Sequence, residues 1–290
     1  MKIGVLSRNQ AYWATTEIIK ALKEKHVEPI YLHTPQVHLS LDGEKADAVY
    51  NGESLTDLDA AIPRIGRSLT QLGLMILKQF ELMSIPSTLS IKGLLLARNK
   101  YLMLQALHAA GIRIPESVLI ASRRQDQEPT AYLAPPVVMK LLSGTQGIGV
   151  MLVRDPKEAG PIIDTLSELD QIICLQKYLP NPGEDIRAFV VGSEIVAAMK
   201  RKAAANEWRS NIHIGGHGVP HDLSEAEAET AIKAAEAVGV EISGVDLITV
   251  ENAPYVIEVN ASPGFRGLLE ASGINVAQKI AEYAISKAKK

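Results

Sequence analysis

The stretch "VIEVNASPG", Val256 to Gly264, begins as a buried strand and then sets an acid and an amide two residues apart. Strand side chains alternate, so Glu258 and Asn260 share one face. The preceding strand carries Asp246 in "GVDLITV". A hairpin turning at Asn252 places Asp246 nearly opposite Glu258, within one residue of register. Two carboxylates and an amide oxygen then converge. Like charges so close repel unless a cation sits among them. Hard oxygen donors suit Mg²⁺ or Mn²⁺, ions that often bind phosphates as well. The competing reading is a solvent-facing polar strip, and the apolar neighbours in "YVIEVN" weigh against it.

A second group is "SGTQGIGV", Ser143 to Val150. A strand follows it instead of a helix, so it is no dinucleotide fingerprint, and it lacks the Gly-Lys-Ser/Thr of a Walker loop. A glycine-rich hairpin loop can still offer backbone N–H groups to phosphates. Read blandly, it is a flexible turn. The third group is basic: Lys100, Lys140, Arg187, Arg201 and Arg209. Lys140 sits inside the apolar strand "VVMKLL", where its charge is costly without a negative partner. Arg187 and Arg201 lie on the two arms of one hairpin. Any one of these cations is ordinarily a surface charge. With a metal site and a glycine loop they describe a nucleoside triphosphate pocket.

Two patterns mislead. His213, His217 and His221 have zinc-like spacing, but "HIGGHGVPH" cannot be helical. "KRKAAANEWR" could pass for a nucleic-acid patch, yet it is short and the chain has a net charge of -3. Aromatics make up 4% of the residues, too few for a base-stacking platform. The one cysteine, Cys174, lies in the apolar run "QIICLQ" and reads as an inert core thiol. No apolar run reaches the ~18 residues needed to cross a bilayer, and the N-terminus lacks the apolar core of a signal peptide. The expectation is a soluble cytoplasmic protein without membrane or direct nucleic-acid partners.

These groups need elements to hold them. The chain has 290 residues, 47% hydrophobic, enough for about two domains. "KIGVLS", a helix near Thr15 to Lys25, "EPIYLHT", "LDAAIPRIG" and a helix from Thr70 to Met83 make a small parallel α/β unit ending near residue 88. Arg64 and Arg67 look exposed at the end of its third strand. "ARNKYLMLQALHAAG" reads as one strong helix stopped by Gly111. It opens a second α/β unit, from Ser90 to about Gln176: "RIPESVLIAS" reads as a strand, "PPVVMKLLSGTQGIGVMLVRD" as strand, glycine loop and strand, "PKEAGPIIDTLSEL" as a helix and "QIICLQKYL" as a strand. "DIRAFVVGSEIVAAMKRKA" is a hairpin turning near Gly192, and "RSNIHIGGHGVPHDLS" reads as a loop. Ser224 and Glu227 form a capping box for a helix ending at Gly239. A last helix runs from about Asn275.

The order "VVMKLLSGTQGIGV", "LQKYL", "DIRAFVVG", "RSNIHIGG", "GVDLI", "VIEVNASPG" resembles the ATP-grasp superfamily, and within it the RimK-type α-L-glutamate ligases, over nearly the whole chain. The resemblance implies an ATP-grasp fold, of mixed α/β (α+β) class. An N-terminal parallel α/β pre-ATP-grasp domain would span residues 1–88, a central subdomain 89–176 and a C-terminal subdomain 177–290. It implies that Lys100 and Lys140 contact ATP phosphates, with Ser143, Gly144, Gln146 and Gly147 closing over them. Gln176, Lys177, Tyr178 and Leu179 would read adenine through the backbone, and Asp185 would lie near the ribose. Arg187 and Arg201 would be catalytic, around the transferred phosphate, with Arg209 and Asn211 nearby. Asp246, Glu258 and Asn260 would hold two Mg²⁺ or Mn²⁺ ions.

The implied reaction joins L-glutamate to an acceptor carboxylate through an acyl phosphate. The best-known acceptor in the family is the C-terminus of a small-subunit ribosomal protein; coenzymes and an amino-acid carrier protein occur among relatives, which are often homo-oligomers. Other classes weighed are a non-catalytic ATP-binding module and a dinucleotide-binding dehydrogenase. The sequence departs from the family at Lys177, where an acid is usual, and at Ile214, where an arginine is usual. Arg266 adds a charge near the site.

Overall fold

The structure is a computed structural model that describes residues 1–121, 133–142, 149–180, 183–204, 207, 209–210 and 215–288. The first sheet is parallel. Strand β1 (Lys2–Ser7) lies between β2 (Glu28–His33) and β6 (Ala60–Pro63), pairing Val5 with Tyr31 and with Ile62. Helix α1 (Trp13–Glu24) follows β1, and α2 (Thr70–Leu82) follows β6. Between β2 and β6 the chain adds a small antiparallel sheet, β3 (His38–Leu41), β4 (Ala46–Tyr50) and β5 (Glu53–Ser54), absent from the sequence-based reading.

The expected single helix over "ARNKYLMLQALHAAG" is two. Helix α3 (Ile91–Arg98) ends at Asn99, which caps α4 (Lys100–Ala109) by accepting from the N–H groups of Tyr101 and Leu102. An N-cap residue is extended, so the axis breaks there and Lys100 starts the new helix. Gly111 follows α4 with φ of 70°, as expected of a C-terminal glycine.

Next comes an antiparallel sheet in the order β7 (Ser117–Ile120), β10 (Ile173–Lys177), β8 (Val137–Leu141), β9 (Val150–Val153), covered by α5 (Pro156–Glu168). It has a core of its own, including Val137, Met139, Ile163, Ile173 and Leu175. Cys174 is fully buried on β10, and burial pushes its thiol pKa up, as befits a core thiol.

The third sheet has the order β13 (His217–Pro220), β12 (Glu194–Lys202), β11 (Glu184–Val191), β14 (Ile242–Val250), β15 (Ala253–Asn260). Strand β13 falls where the sequence reads as loop. Helix α6 (Glu225–Val238) carries the expected capping box between Ser224 and Glu227 and ends at Gly239 with φ of 76°. The β11–β12 hairpin turns at Gly192, also at positive φ. A short helix α7 (Arg266–Ser272), not foreseen, precedes α8 (Val276–Lys287).

Helices α3 and α4, grouped by sequence with the strands after them, pack on the third sheet instead. Leu94, Met103, Leu104 and Leu107 share a core with Ala231, Ala234, Val256 and Val259. The reason lies in their apolar faces and in Gly93, which lets α3 approach the end of α6. A methyl at Gly93 would lie 2.2 Å from the Gly239 carbonyl oxygen. Alanine gains about 1 kcal/mol in helix propensity, but overpacking against backbone costs about 1–3 kcal/mol and more in a rigid contact. Gly93→Ala should therefore lose about 2 kcal/mol, read as a lower urea midpoint. Helix α8 lies against α1, so the C-terminus closes on the first sheet; Lys25 pairs with Glu282 at 2.9 Å.

Candidate active site

The β14–β15 hairpin pairs Asp246 with Glu258 and Gly244 with Asn260, the register read from the sequence to within one residue. A bulge between Asp246 and Leu247 interrupts the ladder at this point. Asp246 is 1% exposed on β14. Its neighbour across the ladder is Arg187 of β11, whose Nε and Nη2 donate to the two carboxylate oxygens at 2.7 Å each. Arg201 of β12 reaches the same carboxylate at 3.0 Å. Arg201 also donates through Nε to Asp185 Oδ1 at 2.6 Å and through Nη2 to Oδ2, so Asp185, expected near the ribose, is held by a guanidinium. Asp185 faces Arg201 directly in the hairpin register.

The result is a chain Asp185–Arg201–Asp246–Arg187 across three strands, its first three members buried and Arg187 half-buried. Burial alone would raise the Asp246 pKa; the two arginines more than offset it and hold it below the usual carboxylate range. Burial would lower the Arg201 pKa, and Asp246 and Asp185 raise it instead.

Facing this chain is a second set of cations. Lys140 points from β8 and donates to Gln176 Oε1 at 2.5 Å; Gln176 Nε2 donates to Ser117 Oγ at 3.1 Å. Its partner is a neutral amide, where the sequence led us to look for an acid. Burial lowers the pKa of Lys140 and of Lys100, and the nearby Glu258 carboxylate offsets part of that in both. Burial likewise lowers Arg98, at the end of α3, with Glu258 again opposing. Cations thus outnumber carboxylates among the described residues of the pocket. A polyanion bound there would repair that imbalance.

The donor set fits a hard divalent cation. Asn260 Nδ2 donates to the Gly244 carbonyl at 3.3 Å, leaving its amide oxygen to accept or coordinate. Glu258 adds a carboxylate; Asp246, paired with it, already accepts from Arg187 at both oxygens and would reach an ion only through a remaining lone pair. No group of three His, Cys, Asp or Glu side chains forms a metal cage among the described residues. His221 bonds Glu227 at 3.2 Å and His217 is exposed on β13; His213 lies outside the described residues.

Other expected residues fall as follows. Ser143, Gly144, Gln146, Gly147, Asn211 and Ile214 lie outside the described residues. The N–H groups of Lys177 and Tyr178 donate to the carbonyls of Glu116 and Pro136, at 2.8 and 3.1 Å. The N–H of Leu179 has no partner among the described residues. Arg209 is held by Glu207, with its Nη2 at 2.8 Å from Oε2. Arg266 is exposed and pairs with Glu270 at 3.0 Å. Arg64, expected exposed, is half-buried, and burial lowers its pKa to about 10. Arg98 was not singled out from sequence at all. The Asp185–Arg201 pairing was not legible: counting back from the Gly192 turn sets Asp185 opposite Lys200, and a bulge between Phe189 and Val190 shifts the register to Arg201.

Comparison with known proteins decides the family. A family model described as the RimK-like ATP-grasp domain matches residues 97–284, and one described as the RimK PreATP-grasp domain matches residues 1–94. The chain belongs to the RimK-like ATP-grasp family. A probable alpha-L-glutamate ligase of Aliivibrio fischeri (strain MJ11) is 38% identical over 286 residues, covering 98% of this chain and 95% of that protein.

Solved structures with the same fold include the D-alanine–D-alanine ligase of Bacillus anthracis complexed with ATP. It has a TM-score of 0.72 at 21% identity, over 99% of this chain and 97% of that one. The ATP-grasp ligase PsnB, complexed with a precursor variant, Mg and ADP, has a TM-score of 0.77 at 18% identity, over 98% of both chains. As a RimK-like ATP-grasp protein, the chain is an ATP-dependent carboxylate–amine ligase. No helix among the described residues is long and apolar enough to cross a membrane.

Proposed function

We propose that the chain adds L-glutamate to an acceptor carboxylate through an acyl phosphate, and that the acceptor is the C-terminus of a small-subunit ribosomal protein. The observation that carries the ligase site is the cation set of Lys100, Lys140, Arg187 and Arg201 gathered round the Asp246–Glu258 pair. The glutamate assignment is supported by the name of the relative in Aliivibrio fischeri.

A carboxylate cannot expel oxide, so its oxygen first attacks the terminal phosphorus of ATP, and ADP leaves with the bonding electrons. The amine of glutamate then attacks the acyl carbon, phosphate leaves, and the amine gives up a proton as the amide forms. Lys100 and Lys140 hold the phosphates. Arg187 and Arg201 steady the charge on the transferred group, a task suited to a planar guanidinium. Held by Glu258, Asn260 and Asp246, two Mg²⁺ or Mn²⁺ ions would neutralise phosphate charge. The N–H of Leu179 serves the purine edge.

Ser143, Gly144, Gln146 and Gly147 as phosphate loop, Asn211 beside the substrate, and the divisions at residues 88 and 176 belong to this same proposal. So do a cytoplasmic location and a homo-oligomer. The test mixes protein, ATP, Mg²⁺, L-glutamate and candidate acceptors. ADP release that requires glutamate, with the acceptor gaining the mass of one glutamyl residue per step, is the expected result. ADP release independent of any amino acid across the acceptors would refute it.

A further inference from the structure

Arg64 and Arg98 have no part in the chemistry proposed above, and their surroundings are unusual. Arg64 lies just after β6, on the N-terminal sheet. Its Nη2 donates to the Pro263 carbonyl at 2.8 Å, and its guanidinium lies 5.9 Å from the ring centre of the buried Phe265. Arg98 ends α3. Its Nη2 donates to the Ile65 carbonyl, which also accepts from Ser262 Oγ at 3.2 Å. Both guanidiniums therefore stand in the seam between residues 63–66 and the turn at 261–265.

Neither has an ion-pair partner among the described residues. The Arg98 Nε–H is fully buried and has no hydrogen-bond acceptor among the described residues. A buried, unpaired charged donor is costly, and folded chains almost always satisfy it. The two cations also repel each other: burial lowers the Arg64 pKa first, and Arg98 adds to the fall. Arg67 stands near as well, and Glu258 is the one carboxylate whose field reaches Arg98. Each guanidinium spends one N–H on a carbonyl that fixes its orientation. The others have no acceptor among the described residues.

We propose that Arg64 and Arg98 form a clamp for a substrate carboxylate in the seam between the first sheet and the turn after β15. The planar, forked guanidinium matches a carboxylate, and two of them in one seam could hold it between the N–H groups not given to the Pro263 and Ile65 carbonyls. The phosphate cations Lys100, Lys140, Arg187 and Arg201 start from α4, β8, β11 and β12, whereas Arg64 comes from the first sheet. The clamp therefore meets the phosphate cations at Glu258, the carboxylate near both, and would bring an organic substrate to it from the side of the first sheet. It rests on the ligase reading, since a ligase of this kind brings two carboxylate-bearing substrates, the incoming amino acid and the acceptor.

The test uses the full chain with Mg²⁺ and a non-hydrolysable ATP analogue, and titrates two probes by calorimetry. L-glutamate represents the incoming amino acid. N-acetyl-L-glutamate, with its amine blocked, represents the acceptor. Arg64→Gln and Arg98→Gln should each weaken one probe by about ten- to a hundredfold, and the probe affected names the source of the carboxylate. Arg64→Lys and Arg98→Lys keep the charge, guard against misfolding, and should weaken it less. A fluorescent ATP analogue should bind all variants within about twofold of the parent.

Unchanged affinity for both probes, no binding of either by the parent, or an equal loss of ATP affinity would each overturn the clamp. The last of these would make the pair a phosphate site. The clamp is read by binding alone, so glutamate-dependent ADP release by the parent separates its failure from that of the ligase reading.

Discussion

Glu258→Gln should stop ligation and leave nucleotide binding largely intact. Glu258 is the carboxylate whose charge opposes the desolvation of Arg98, Lys100 and Lys140 at once. Glutamine keeps the shape and one oxygen but removes the negative charge from the proposed metal position. The cations stay and still attract phosphates, so ATP affinity should move by less than about tenfold. The transition state loses the fixed charge that places the metal, worth about 4 kcal/mol, or roughly a thousandfold in kcat. Glutamate-dependent ADP release is the measurement, with ATP-analogue fluorescence alongside. A variant retaining more than a tenth of the parent rate would remove Glu258 from the reaction.

Arg201→Met should be the most destabilising single change in the site. Arg201 is 3% exposed and holds two carboxylates, Asp185 and Asp246, which are 7% and 1% exposed. Methionine fills much of the volume but leaves Asp185 without its bidentate partner and Asp246 with Arg187 alone. Breaking a buried ion pair by removing one partner costs about 3–5 kcal/mol. For a chain of this size that is a fall of roughly 10 °C in the melting midpoint. Activity should be lost as well.

The same network sets an acid limit. The Asp246 pKa in the folded state is held below its unfolded value, so its contribution is complete above about pH 4 and disappears as pH falls through the folded pKa. In the parent, stability should fall steeply below that point. In Arg201→Met the depression shrinks and the acid edge should move to higher pH. An unchanged midpoint and acid edge would show that the pair contributes nothing net.

What the sequence disclosed depended on how local the signal was. The Asp246–Glu258 pairing was legible to within one residue because Asn252, at φ of 64°, marks the turn; the bulge between Asp246 and Leu247, which no local signal announces, sets the register itself. The capping box at Ser224 and Glu227 was legible because four residues contain the whole device. The break at Asn99 was hidden because apolar spacing continues through it; a lone Asn before "KYL" was the cue, and its capping bonds explain it. The β3–β5 sheet was missed although "YNGE" holds an Asn-Gly turn with both residues at positive φ, since its strands are short and mostly solvent-facing. Arg98 could not have been found by pattern. Only the meeting of α3 with residues 63–66 and 261–265 makes it special, and no local rule encodes that meeting.

The four-stranded sheet of β7–β10 keeps its own core, whereas α4 shares the core of the third sheet. Cys174 is the exception: it faces the core that α4 shares, so the sheet rests on that core by one face and keeps its own on the other. Lys140 and Lys100, proposed to grip one nucleotide, stand on the two sides of this contact. ATP held by both would reinforce it, and ADP, lacking the terminal phosphate, would reinforce it less.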